Sequence, residues 1–135
     1  MTFHGATGAV QKLRHEDLTK EIIGAAIEVH KAIGPGLLEG VYEECLCHEL
    51  KLRNLSFERQ LLVPVTYKGV TLDCGYRLDI LVERTVVLEL KSIERIHPIF
   101  EAQLLTYMRL MQKPVGLLIN FNVPILRTGI VRKVL

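Results

Sequence analysis

The sequence predicts an α/β fold in which a mixed β-sheet is flanked by helices. Three observations lead to this fold. Two apolar runs rich in aliphatic and β-branched residues, 76–82 and 86–91, are separated only by Glu83-Arg84-Thr85 and read as a hairpin. Two segments of helical periodicity precede this strand-rich middle, and a third follows it. After the third helix the chain returns to short apolar runs of the kind found in buried strands.

Residues 1–16 carry Gly5, Gly8 and mixed polar side chains and read as a flexible leader, leaving 17–135 as a single domain. The first helix is expected to start near Asp17 or Thr19, either of which can cap exposed amides. Ile22, Ile23, Ala26, Ile27, His30 and Ile33 follow one helical face, and Gly34-Pro35-Gly36 ends it. A second helix is expected from Leu38 to Arg53, with Leu38, Val41, Tyr42, Cys45, Leu46 and Glu49 on one face. The stretch from Phe57 to Tyr67 reads as one extended region, held to an edge or a bulge by Pro64. Lys68-Gly69 turns the chain into Val70-Thr71-Leu72, and Gly75 marks a bend before the strand of Asp79. A third helix opens at Pro98 and stops before Pro114. Strands are then expected at 115–120 and 129–135.

With 135 residues, the chain reads as one domain that buries about two-thirds of its unfolded surface. Its 49% hydrophobic and 24% charged residues exclude a disordered chain. No apolar run approaches the roughly 20 residues of a membrane span, and Met1 to Asp17 lacks a signal-peptide core. The expectation is a cytoplasmic protein without membrane contact. Cys45, Cys47 and Cys74 are odd in number and lack zinc-ligand spacing, so they read as reduced and structural. Every acidic residue lies at or before Glu101, whereas Arg109, Lys113, Arg127, Arg132 and Lys133 follow it. A basic segment beside an acidic site suits a polyanionic substrate, although an unevenly charged solvated surface explains the same pattern.

The chemistry concentrates in the hairpin. Residues two apart in a strand share a face, so Val87, Glu89 and Lys91 point one way and Val86, Leu88 and Leu90 the other. A three-residue loop sets Val82 against Val86 and Asp79 against Glu89, with Cβ atoms roughly 4.5–5.5 Å apart. Facing like charges destabilise a sheet unless positive charge sits between them. A divalent cation and the Lys91 ammonium meet that need, which points to a metal site. Gln103 and Tyr107 lie one turn apart on the third helix, and Glu39 opens the second with Tyr42 on the same side.

In order along the chain, these residues resemble a known family. Gly36-Leu37-Leu38-Glu39-Gly40-Val41-Tyr42 matches the signature of the GxxExxY proteins, a branch of the PD-(D/E)xK nuclease superfamily. Asp79 followed by Glu89-Leu90-Lys91 matches the D…ExK core, and Gln103 to Tyr107 matches the QxxxY element of exonuclease-like branches. Leu118-Ile119-Asn120-Phe121-Asn122-Val123-Pro124 is also similar to the group. Leu78 stands where the motif's Pro would precede Asp79, a position this superfamily often loses.

The resemblance implies a restriction-endonuclease-like core and a divalent-metal-dependent nuclease, with DNA ahead of RNA as substrate. It implies Glu39, Asp79, Glu89 and the Leu90 carbonyl as ligands of Mg²⁺ or Mn²⁺, hard ions that favour oxygen. Lys91 is then placed to orient or deprotonate the attacking water, and Gln103 and Tyr107 to hold a phosphate or fix Lys91. A compact domain leaves little room for sequence recognition, so limited specificity is expected. Related nucleases often pair, so a homodimer is among the open states. Tyr42, His30, His48 and His97 read as packing or surface residues. The competing function is a catalytically inactive nuclease-fold module that binds nucleic acid or a protein partner.

Overall fold

The computed structural model describes residues 4–135, with side chains from His15 onward. Helix α1 spans His4–Ile33 and α2 spans Glu39–Leu52. Strands follow at Phe57–Leu62 (β1), Val65–Tyr67 (β2), Val70–Leu72 (β3), Arg77–Val82 (β4) and Val86–Lys91 (β5). Helix α3, Pro98–Met111, leads to β6, Val115–Asn120, then a 3₁₀ turn at Leu126–Gly129 and β7, Ile130–Val134.

The central sheet has five strands in the order β1-β4-β5-β6-β7. Only β5 and β6 run parallel; the other neighbours are antiparallel. Helix α3 supplies the crossover that a parallel pair requires. The β4–β5 hairpin sets Val82 opposite Val86 and Ile80 opposite Leu88. This mixed sheet with helices on both faces agrees with the restriction-endonuclease-like core that the resemblance implies.

Helices α1 and α2 cover one face, where Ile22, Ala26, Leu46 and Leu50 join Ile80, Leu88 and Leu117 in one buried cluster. Leu104 and Met108 of α3 cover the other face with Leu81, Val87 and Leu118. Strands β5 and β6 are therefore buried on both sides, which explains the apolar stretches Val86–Leu88 and Leu117–Ile119. Gly116 lets α3 approach the sheet. A Cβ there would stand 2.6 Å from Met108 Sδ and 2.8 Å from Leu104 Cδ1.

Three local expectations are corrected. The helix expected from Asp17 or Thr19 begins at His4, so most of the segment read as a leader is helical; Met1 to Phe3 lie outside the described residues. Ala9 to Glu16 contains no proline and several strong helix formers, which outweigh the cost of Gly5 and Gly8, about 1 kcal/mol each. The extended region from Phe57 to Tyr67 divides between β1 and β2, because Pro64 offers no ladder donor. Strands β2 and β3 pair with each other as a separate hairpin around Lys68 (φ 47°) and Gly69 (φ 82°). On α2 the buried face is Tyr42, Leu46, Cys47 and Leu50, leaving Leu38 81% and Val41 41% exposed. The fourfold spacing of Tyr42, Leu46 and Leu50 sets the helix rotation.

Candidate active site

Backbone pairing of β4 with β5 ends at Ile80–Leu88, and side chains take over one residue further on. The Leu90 amide donates to Asp79 Oδ2 at 2.7 Å, and the Asp79 amide donates to Glu89 Oε2 at 2.8 Å. Each carboxylate thus bonds the opposite strand. Glu89 is only 5% exposed. Burial, then the charge of Asp79, push its carboxyl up to about 8. Burial raises Asp79 as well, against the opposing bond from Leu90. Partial desolvation also raises Glu39, with the Lys91 charge opposing and Asp79 and Glu43 adding to the rise. These carboxylates share one electrostatic environment.

Lys91 ends β5, and its Nζ lies 4.6 Å from the centre of the Phe100 ring. Among the described residues it has no ion-pair partner. The backbone beside it is firmly held. The Phe121 amide donates to Lys91 O at 2.9 Å. Asn120, 2% exposed, donates to Ile93 O at 2.9 Å and accepts from the Ile93 and Asn122 amides, each at 3.1 Å. The Leu118–Pro124 segment therefore sets where Lys91 leaves the sheet.

Glu39 is the first residue of α2 and is exposed. The loop before it is tied to the core by Tyr42, whose hydroxyl donates to Gly34 O at 2.6 Å and accepts from the Leu37 amide at 3.2 Å. The Tyr42 ring stacks on Phe121 at 4.4 Å. Ser92 Oγ donates to Leu37 O at 2.6 Å, joining this loop to the end of β5. His30 bonds Val123 O at 2.8 Å, and His97 accepts from the Ile99 amide at the start of α3, so both are structural.

On α3, Gln103 Nε2 donates to Tyr107 Oη at 2.8 Å. That leaves the Tyr107 proton free to be donated elsewhere. Burial, then the Glu89 charge, raise the Tyr107 hydroxyl above its ordinary value. Neither Gln103 nor Tyr107 bonds Lys91; Phe100 is the residue that holds it.

Three neighbours were not singled out from the sequence. Gln60, at φ 50°, donates to Glu43 at 2.7 Å and to Asp79 Oδ1 at 3.4 Å. Glu43 also pairs with Arg59 at 2.8 Å. Glu43 was findable, since it follows Glu39 by one helical turn. Nothing in the alternation of 57–62 announces a left-handed Gln60, or Phe100 under an ammonium.

The profile of the PD-(D/E)XK nuclease superfamily matches residues 16–133. The chain belongs to this superfamily. No curated protein and no solved structure matches the chain. Membership supports a nuclease-like function with nucleic acid as partner. No helix among the described residues is long and apolar enough to cross a membrane.

PD-(D/E)XK nucleases generally use divalent metals, and the donors fit a hard cation. Asp79, Glu89 and Glu39 are oxygen donors whose mutual repulsion a cation would relieve. Among the described residues, no three acidic, His or Cys side chains already converge on one ligation point. Asp79 and Glu89 instead each turn an oxygen onto a backbone amide.

Proposed function

We propose that this chain is a nuclease of the GxxExxY branch that hydrolyses phosphodiester bonds, in DNA ahead of RNA, with Mg²⁺ or Mn²⁺ and limited sequence specificity. The observation that carries this reading is the cross-bonded Asp79–Glu89 pair beside Lys91, an ammonium without an ion-pair partner among the described residues. Asp79, Glu89, Glu39 and the Leu90 carbonyl would hold the cation, which supplies Lewis-acid polarisation of a phosphoryl oxygen. Lys91 offsets charge on the phosphate and orients the attacking water. Tyr107 donates its free proton to a phosphate oxygen, with Gln103 fixing the direction of the hydroxyl. Cys45, Cys47 and Cys74 are free thiols, which supports a reducing, cytoplasmic setting.

The test is calorimetric titration of Mg²⁺ and Mn²⁺ into wild type, Asp79→Asn, Glu89→Gln and Lys91→Ala, followed by incubation with linear, circular, single-stranded and branched DNA. Cleavage by wild type and its loss in all three folded variants is expected. Cleavage retained in all three overturns the assignment. DNA binding without turnover in any protein, wild type included, supports the inactive binding module instead.

A further inference from the structure

A cleft of about 540 Å³ opens along α3, within the roughly 300–1,000 Å³ span of small-molecule sites. Tyr76, Ile99 and Phe100 give it apolar and aromatic walls, and Gln103, Thr106 and Tyr107 supply the polar groups. Tyr76 is 48% and Ile99 59% exposed, so both are open to a ligand. Gln103 and Tyr107 belong both to this cleft and to the candidate active site. Phe100 joins the two as well, because the ring that lines the cleft carries the Lys91 ammonium 4.6 Å from its centre.

The chemistry changes from charged to aromatic over a few side chains. A nucleotide has that same division, an anionic phosphate joined to a flat base with polar edges. A phosphate drawn to Lys91 brings its neighbouring base towards Tyr76 and Phe100, where stacking is available to any base. Gln103 and Thr106 then offer hydrogen bonds to the base edge. A base stacked and paired within a duplex cannot enter such a cleft without leaving its helix.

We infer that this cleft is a stacking site for one unpaired base next to the phosphate that is cut. The substrate class is therefore single-stranded nucleic acid, a frayed end or a flap, rather than intact duplex. This inference rests on the nuclease reading for the position of the phosphate.

The test is equilibrium binding, with Ca²⁺ in place of Mg²⁺, of a short single-stranded DNA, the same strand with abasic sites, and the corresponding duplex. Wild type is expected to bind the normal strand about tenfold more tightly than the abasic strand, the size of one base–aromatic contact. Tyr76→Ala is expected to erase that difference and Tyr76→Trp to restore it. Equal binding of normal and abasic strands by wild type overturns the inference. So does tighter binding of the duplex, or an equal loss for both strands in Tyr76→Ala. Mg²⁺ added to the same mixtures separates the two readings. Cleavage without base preference removes the stacking site alone. Base preference without cleavage removes the nuclease reading and leaves base stacking in the cleft with no cut phosphate beside it.

Discussion

Asp79 and Glu89 hold each other's strands: the Asp79 amide donates to Glu89 at 2.8 Å, while the Asp79 carboxylate accepts from Leu90, the residue after Glu89, at 2.7 Å. The hairpin ladder has already ended at Ile80 and Leu88. The acids thus complete the sheet where the backbone no longer pairs, and a buried amide finds its acceptor in a carboxylate. Structure and candidate chemistry depend on the same two carboxylates.

This double role separates two substitutions at Asp79. Asp79→Ala leaves the Leu90 amide without its acceptor and is expected to cost about 1–3 kcal/mol of stability. Asp79→Asn keeps an acceptor oxygen and is expected to cost less than about 1 kcal/mol. Both remove the carboxylate and lower cleavage by about a hundredfold or more. Denaturant melts beside initial rates measure the two effects, and equal destabilisation by Ala and Asn contradicts the structural role.

Glu89 links stability to pH. Its folded-state value of about 8 lies above the unfolded value of 4.5. The native state therefore holds the proton more tightly, so this contribution is complete below about pH 4.5 and is lost as pH rises through about 8. With EDTA present, wild-type stability is expected to fall between about pH 5 and pH 9 relative to Glu89→Gln, by on the order of a few kcal/mol. Asp79 shares the proton release, so the pair titrates as a unit. Added Mg²⁺ should restore wild type at the alkaline end. A difference between the two proteins that does not vary with pH rules this linkage out.

Much of this geometry was readable because strands have a period of two. Glu83-Arg84-Thr85 fixed the hairpin register, and that register alone brings Asp79 to Glu89. Pro98 and Pro114 bracketed α3, and the apolar run 115–120 is fully buried. Other features depend on contacts remote in sequence. Asn120 reaches Ile93, and Phe100 lies beneath Lys91 only because α3 crosses the sheet between β5 and β6. The rotation of α2 was misplaced because Leu38 and Val41 satisfy the helical period as well as Leu50 does, yet the loop leaves them in solvent. Periodicity records which residues share a face. It does not say which of two apolar faces is covered.

Asn120 tests whether the backbone after Lys91 must be clamped. Asn120→Ala removes bonds to the Ile93 amide, the Ile93 carbonyl and the Asn122 amide in a buried place. The expected loss is about 2–4 kcal/mol, with a fall in turnover larger than the fall in substrate affinity, because Lys91 loses its bearing. Thermal melts and steady-state kinetics are the measurements. Turnover unchanged in the folded fraction would mean that Lys91 is positioned without Asn120.

Tyr42 does for Glu39 what Asn120 does for Lys91, through two separable contacts. Its ring packs on Phe121, and its hydroxyl joins Gly34 to Leu37 just ahead of the helix that Glu39 opens. Tyr42→Phe keeps the stacking and removes the hydroxyl, at a cost of about 1 kcal/mol. Tyr42→Ala also opens a cavity and is expected to cost about 3–5 kcal/mol. If Glu39 helps to hold a cation, the freed loop in Tyr42→Phe weakens Mg²⁺ binding measured by calorimetry, although the substituted atom is not a ligand. Glu39→Gln should weaken it at least as much, and combining the two should add little, since both act on the same carboxylate. Fully additive losses would show that Tyr42 acts on stability alone and that the loop does not position Glu39.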